Sequence, residues 1–375
     1  MIRQIDIANF KSIDHLSFGP GRVSLLIGEN GCGKTNVLEA IALGAAAAAG
    51  KLDNEFLRTR GIRVANPVLM RSAFAADSQA SPIEFRFYVD GGQPRDSLSL
   101  SLQNDNKPYA GWTEKYLERA KAERAERGRE AGEVDESVYV QAVAQYRGGV
   151  TVGSHHISLT GFLAYSPQIT ILREQKVESY IEPLGIHGEG LFRLLATLAA
   201  SGRLAEVQDN LRIIDWFDKI NVTTSPHTNE AIIGIKDRYL SDAAPLLDEA
   251  NTNEGFLYLL FYTCLFMSEH TPKFFAIDNV ESALNPKLCV KLMQTLVALA
   301  KKYDKQAIIT THSPAILDGL DLSDDQQRLF VAYRNVEGAT RMRRVERPVV
   351  KHGEKTVPLS EAFLRGYIGG LPANF

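Results

Sequence analysis

Between residues 28 and 35 the chain reads Gly28-Glu29-Asn30-Gly31-Cys32-Gly33-Lys34-Thr35, three glycines, a lysine and a hydroxyl at the spacing that cradles a polyphosphate. Glycines let successive backbone N–H groups curl around phosphate oxygens, and a helix that follows turns its positive end toward them. In such a loop Lys34 reaches the β- and γ-phosphates and the Thr35 hydroxyl ligates a magnesium ion. Asn30, Gly31, Cys32, Gly33 and Asn36 complete the expected nucleotide contacts. The metal needs a carboxylate as well, and Phe274-Phe275-Ala276-Ile277-Asp278 offers one at the end of four apolar residues. A third run, Gln306 to Ser313, ends in His312. A lone histidine is usually structural; one that closes a strand at the same sheet edge is expected to sense the γ-phosphate.

These side chains need elements that carry them. Residues 4–9 and 22–27 read as strands, the second apolar enough for a buried parallel sheet. Asn36 to Ala49 is an alanine- and leucine-rich helix stopped by Gly50. A chance glycine-rich turn would lack this strand–loop–helix frame. Phe256 to Met267 and Lys287 to Tyr303 read as helices around the Asp278 strand. Lys34 and Asp278 lie 244 residues apart, far more than one strand–helix–strand unit needs, so an insertion splits the domain.

Within the insertion, Ile83 to Asp90 alternates and, with Ser97 to Gln103, predicts a hairpin of an antiparallel lobe beside the nucleotide. Thr113 to Gln145 is charged and alanine-rich without sustained heptads, which predicts a short helical hairpin broken near Gly128 and Gly132. Its basic residues (Lys115, Arg119, Lys121, Arg124, Arg127, Arg129) alternate with glutamates, the pattern of a solvated surface, with DNA or a partner as the alternative. Ile157 to Ser166 and Ala231 to Lys236 read as strands; Gly188 to Ser201 and Ala205 to Phe217 read as amphipathic helices. Arg328 to Tyr333 and Thr340 to Val345 predict a hairpin, and Arg341, Arg343, Arg344 and Arg347 form the densest basic cluster. The expected organisation is residues 1–110, a first part of the head with the antiparallel lobe; 111–245, a mainly helical insertion; and 246–375, the second part of the head.

Composition bounds the rest. A chain of 375 residues with 45% hydrophobic and 23% charged residues is globular, and a net charge of −3 does not announce nucleic acid. No apolar run reaches a membrane span, and the opening MIRQIDIANF has no signal-peptide core, so the cytoplasm is the expected location with no membrane partner. Cys32, Cys264 and Cys289 are too scattered for a disulfide framework or a zinc site.

Three segments carry a family resemblance. Asp278-Asn279-Val280-Glu281-Ser282-Ala283-Leu284-Asn285-Pro286 resembles the Walker B and D-loop segment of ABC ATPases, and Thr310-Thr311-His312-Ser313-Pro314 resembles their switch-histidine loop. Ile5 to Ile13 is similar to the first strand and turn of the RecF/SMC/OLD branch, which includes the ATPase subunits of Septu-type and related phage-defence systems. The resemblance implies an α/β P-loop NTPase head of ABC type: a mixed sheet with a flanking antiparallel lobe, interrupted by a helical insertion. It implies ATP and Mg²⁺ as cofactors and a homodimer closed around the ATP sites, with higher oligomers open. Asp278, with Thr35, is then the metal ligand, and Gln168 the Q-loop glutamine on the same ion. Ser282 and Asn285 belong to the D-loop. A strict LSGGQ signature is absent; Asn253-Glu254-Gly255 stands in its place, acting in trans on the partner's phosphates, unless Asn251, Thr252 or Asn253 only caps a helix.

One departure affects catalysis. Asn279 stands where the family carries the glutamate that polarises water, and an amide cannot accept that proton. Glu281 is either the surviving base or a D-loop residue at the dimer seam. No D-x-D in strand context and no nuclease constellation follows His312, so the chain is not expected to be a nuclease itself. The resemblance points to a separately encoded effector, such as a nuclease in phage defence. The alternatives are a RecF-like repair ATPase binding DNA directly and a nucleotide-regulated clamp with negligible turnover.

Overall fold

The computed structural model describes residues 1–74, 76–89, 97–107, 110–115, 159–174, 183–224, 231–346 and 357–371. Of the helical hairpin expected over 113–145, residues 116–145 with Arg119, Lys121, Arg124, Arg127 and Arg129 lie outside them, as does Arg347; its described start, Thr113–Glu114, is a strand and not a helix.

A six-stranded sheet forms the centre, in the order β13-β12-β3-β11-β10-β7. Its strands are β3 (Val23–Ile27), β7 (Ala164–Tyr165), β10 (Phe274–Ile277), β11 (Gln306–Thr310), β12 (Gln327–Arg334) and β13 (Thr340–Val345). All run parallel except β13, which pairs antiparallel on the edge. The strands β3, β10 and β11 are buried along their whole length, which is why each reads as an unbroken apolar run. Alternate residues feed two cores: Leu26, Ala276 and Ile308 on one face, Leu25, Ile277 and Ile309 on the other.

The first face is covered by helix α1 (Lys34–Ala48) and by an antiparallel sheet, β2-β1-β4-β5-β6. That sheet comprises β1 (Ile2–Phe10), β2 (Ile13–Phe18), β4 (Ile83–Val89), β5 (Ser97–Gln103) and β6 (Thr113–Glu114). It is the expected lobe, with the 83–103 hairpin in place and Ile83 opposite Leu102. Helix α1 lies close against this sheet at Gly44, where an added β-carbon would stand 2.7 Å from the Phe87 ring. Two short helices follow α1, α2 (Asn54–Thr59) and α3 (Pro67–Met70).

The second face carries α4 (Ile169–Leu172), α5 (Leu191–Ala200), α6 (Leu204–Leu211), α7 (Glu254–Met267) and α8 (Pro286–Lys302). Helix α7 is apolar on every side because it is the central helix: every residue from Gly255 to Met267 is buried. A separate hairpin, β8 (Phe217–Thr224) with β9 (Ala231–Asp237), packs beside α6. Helices α9 (Pro314–Leu317) and α10 (Leu359–Leu364) close the chain, joined where Asp318 accepts from the Ser360 hydroxyl and backbone N–H.

Two further sequence expectations fail. The helix expected over 205–217 ends at Leu211, and Phe217 begins β8; its ring is buried against Phe256 at 5.2 Å, so burial in a strand mimics the next apolar position of a helix. Of the strand expected over 157–166, residues 157 and 158 lie outside the described residues; among the others only Ala164–Tyr165 form a strand, because a turn closed by the Phe162 N–H on the Leu159 carbonyl precedes it.

Lys305 ties the second half together. It is 1% exposed, and its ammonium donates to the carbonyls of Ser268, Thr271 and Pro272 and to the Thr271 hydroxyl, at 2.6–3.2 Å. These oxygens cluster in the loop between α7 and β10, the loop that delivers Asp278. Lys305→Met should keep the volume, strand those acceptors and cost about 3 kcal/mol, read as a lower urea midpoint at unchanged slope.

Candidate nucleotide site

The phosphate loop leaves β3 at Gly28 and enters α1 at Lys34. Its glycines are required by backbone and neighbours together. Gly28 has φ 150, and a β-carbon there would meet the Ala332 carbonyl at 2.2 Å; Gly33 has φ 105, and one there would meet Thr340 Oγ1 at 2.2 Å. The loop is clamped by a buried polar cluster drawn from both ends of the chain. Thr340 donates to the Cys32 carbonyl at 2.8 Å and shares a 2.7 Å hydrogen bond with Ser12, whose hydroxyl also accepts from Asn36 Nδ2 at 2.7 Å. Arg334 Nε donates to the Gly31 carbonyl at 3.0 Å.

Lys34 is buried, and its ammonium donates to the carbonyls of Gly28 (2.8 Å) and Glu29 (3.1 Å). Burial lowers its pKa, opposed by the nearby Cys32, Asp278, Glu281 and Glu29. The Thr35 hydroxyl lies 3.0 Å from Asp278 Oδ2, a contact across 243 residues of sequence. This contact joins the two remote segments at one edge, outside the carboxyl ends of β3 and β10. Asp278 Oδ1 accepts from the Thr310 hydroxyl at the end of β11.

Lys34, Thr35 and Asp278 line a cleft of about 360 Å³ with Asn30, Gly31, Gly33, Asn36, Arg63, Asn279, His312 and Arg334. His312 is exposed, and burial of part of its ring together with Lys34 lowers its pKa, which favours the neutral imidazole. Asn279 takes a left-handed φ of 55, a conformation asparagine tolerates better than most side chains. Glu281 is bound beside it: one carboxylate oxygen accepts from the Thr311 hydroxyl at 2.8 Å, the other from the His312 N–H at 2.7 Å.

The remaining expected residues are not among those lining the cleft. Asn253 is the N-cap residue of α7 but its side chain does not cap it, while Asn251 and Thr252 bond back to Asp248. Glu254 is exposed and 3.5 Å from Arg173. Gly255 packs against the D-loop; a β-carbon there would lie 3.3 Å from the Ala283 carbonyl. Ser282 bonds back to the Asn279 carbonyl, and Asn285 caps α8 through Leu288. Gln168 follows β7, the strand next to β10, and contacts His187 at 3.1 Å; it is not among the residues lining the cleft. Arg341, Arg343 and Arg344 each bond within the chain, to Asp14 and the His15 carbonyl, to the Ile368 carbonyl, and to Asp325. Sequence reasoning missed Arg63 and Arg334, which no motif marks, and Thr340. It also passed over Ser12 and Thr310, which sit inside motifs already singled out.

Residues 4–214, more than half of the chain, match a family model described as "AAA domain". The chain belongs to that AAA-domain family. Residues 249–318 match a second model, "AAA domain, putative AbiEii toxin, Type IV TA system". Among solved structures the chain is similar to an SMC head bound to the C-winged helix domain of ScpA, at 12% identity and a TM-score of 0.58, over 92% of this chain and 98% of that one. It is likewise similar to an Smc head with an extended coiled coil, bound to the C-terminal domain of ScpA derived from Pyrococcus furiosus. There the identity is 11% and the TM-score 0.54, over 92% of this chain and 96% of that one. At these identities the likeness is one of fold. No curated protein matches the chain.

This AAA domain therefore has the P-loop ATPase architecture, and its donor set fits a hard divalent cation: a hydroxyl and a carboxylate oxygen 3.0 Å apart beside a phosphate cradle. No described helix is long and apolar enough to cross a membrane. Arg63 reaches the cleft by way of Glu39, whose carboxylate is 1% exposed and binds both Arg63 and Lys11. Glu39→Ala should leave Lys11 and Arg63 without their shared carboxylate, keeping only the Arg63 carbonyl and Asn36 as acceptors, lowering stability by about 3 kcal/mol in thermal or urea unfolding and weakening ATP binding severalfold.

Proposed function

We propose that this AAA domain binds ATP with Mg²⁺ in the cleft and closes with a second copy around the bound nucleotides. The observation that carries this reading is the Thr35–Asp278 contact, which juxtaposes a metal-binding hydroxyl and carboxylate at a phosphate cradle. Thr35 and Asp278 hold the ion, Lys34 and the backbone from Asn30 to Asn36 hold the phosphates, and His312 faces the γ-phosphate. The ion's chemistry is to neutralise the charge on the phosphate oxygens. In trans, Asn253, Glu254 and Gly255 offer the partner's phosphates the uncapped N-terminus of a 14-residue helix. Ser282 and Asn285 accompany them at the seam, and Gln168, which bonds His187 and does not line the cleft, must leave that contact to reach the metal.

Turnover is slow, because Asn279 cannot act as a base and Glu281 is engaged by the switch-histidine loop. Glu281 keeps a free lone pair on each oxygen and is the candidate base. The ATP-dependent dimer gates a separately encoded effector in anti-phage defence. The match to a model named for a toxin of a toxin–antitoxin system supports that setting, as does the resemblance to Septu-type ATPases. The similar SMC heads are bound to a domain of another protein, which supports partner binding. The RecF-like reading draws less support, since Arg341, Arg343 and Arg344 are engaged within the chain.

Lys34→Ala and Asp278→Asn should each weaken Mg-ATP binding about 100-fold by calorimetry, and should abolish dimerisation by light scattering with a non-hydrolysable ATP analogue. Unchanged affinity in both variants would end the reading. For catalysis, Glu281→Gln should lower the residual turnover about 100-fold with binding retained, and Asn279→Glu should raise it by a similar factor. A Glu281→Gln protein turning over at the wild-type rate would return Glu281 to a purely structural role.

A further inference from the structure

Thr310 closes β11 and is fully buried; it opens the histidine segment, two residues before His312, but has been given no role of its own. It grips three consecutive residues of the chain leaving β10. Its hydroxyl donates to Asp278 Oδ1, its Oγ1 accepts from the Asn279 N–H at 2.9 Å, and its carbonyl accepts from the Val280 N–H at 3.2 Å. The direction of these bonds is forced. A backbone N–H only donates, so the hydroxyl must accept from Asn279, and its single proton is left for the carboxylate, which only accepts.

The consequence falls on the metal ligand. With Oδ1 of Asp278 occupied by Thr310, Oδ2 is the oxygen turned toward Thr35, at 3.0 Å. The same hydroxyl holds Asn279 in its left-handed backbone, which directs the chain away from β10 and into the D-loop. We infer that Thr310 is the positioning residue of the metal site: it orients Asp278 to bind the cation through one oxygen and sets the turn that follows. This deepens the reading of the cleft as a Mg-ATP site and rests on it. Its partner in sequence, Thr311, bonds Glu281 instead, so adjacent hydroxyls at one strand end hold the two carboxylates of the site.

The test uses Mn²⁺ as the probe, with free Mn²⁺ followed by electron paramagnetic resonance on the full chain in the presence of a non-hydrolysable ATP analogue. Thr310→Val keeps the shape and strand preference of the side chain and deletes the hydroxyl. It should weaken Mn²⁺ binding tenfold or more, the scale of removing a partner that orients a metal ligand, while analogue binding in EDTA stays at the wild-type level. Thr310→Ser should restore wild-type Mn²⁺ affinity. Thr310→Ala carries the same expectation as the valine variant if the latter does not fold. Wild-type Mn²⁺ affinity in the valine or alanine variant would overturn the inference alone, as would a serine variant as impaired as valine. A wild-type chain that retains no Mn²⁺ with the analogue would overturn both the inference and the Mg-ATP reading beneath it.

Discussion

The hydrogen bond between the Thr35 hydroxyl and the Asp278 carboxylate is the interaction around which this molecule is arranged, because its two residues enter from segments 243 positions apart. Nothing local could bring them together. What does is the strand order: β3 and β10 flank β11 in one parallel sheet, so all three release their chains at the same edge. Parallel pairing with long connections carries a loop-closure cost that only a well-buried sheet offsets. The apolar residues of β3, β10 and β11, all of them buried, supply that burial on both faces.

A second constraint acts on the phosphate loop. Ser12, Asn36, Cys32 and Thr340 form a closed polar cluster from three parts of the chain, so the loop is held by hydrogen bonds as well as by its glycines. In a low-dielectric setting such a cluster is rigid when every member is satisfied. The β12–β13 hairpin, near the C-terminal end of the described residues, thereby becomes part of the nucleotide site. It contributes the Ala332 carbonyl against Gly28, Arg334 against Gly31, and Thr340 against Gly33.

The electrostatics of the cleft divide along the two sides of the sheet edge. Positive groups (Lys34, Arg63, Arg334) stand on the loop side, while Asp278 and Glu281 stand on the side of β10 and its following turn. Glu281 connects its turn to the histidine loop through two hydrogen bonds, and Gly255 rests on the same turn at Ala283. Gly255, the turn at Ala283, Glu281 and the His312 backbone are therefore linked by direct contacts within one chain.

The phosphate loop, the Asp278 and His312 strands, the antiparallel lobe and the apolar helix before Asp278 were all readable in the sequence. Each is a local pattern whose period or residue types reflect its own burial or its own ligand. The placement of Arg63 and Arg334 at the cleft was not readable, nor was the clamp of Thr340 on Gly33: Arg334 and Thr340 meet partners 303 and 308 residues away, and Arg63 depends on how its loop folds back onto Glu39 of α1. Phe217 shows the same limit from the other direction: its apolar character announced burial but not whether a helix or a strand would deliver it. Residue type and spacing determined what chemistry the chain carries; tertiary structure alone decided which oxygens and guanidinium groups meet at the edge, since long-range pairing leaves no periodic trace in the segments it joins.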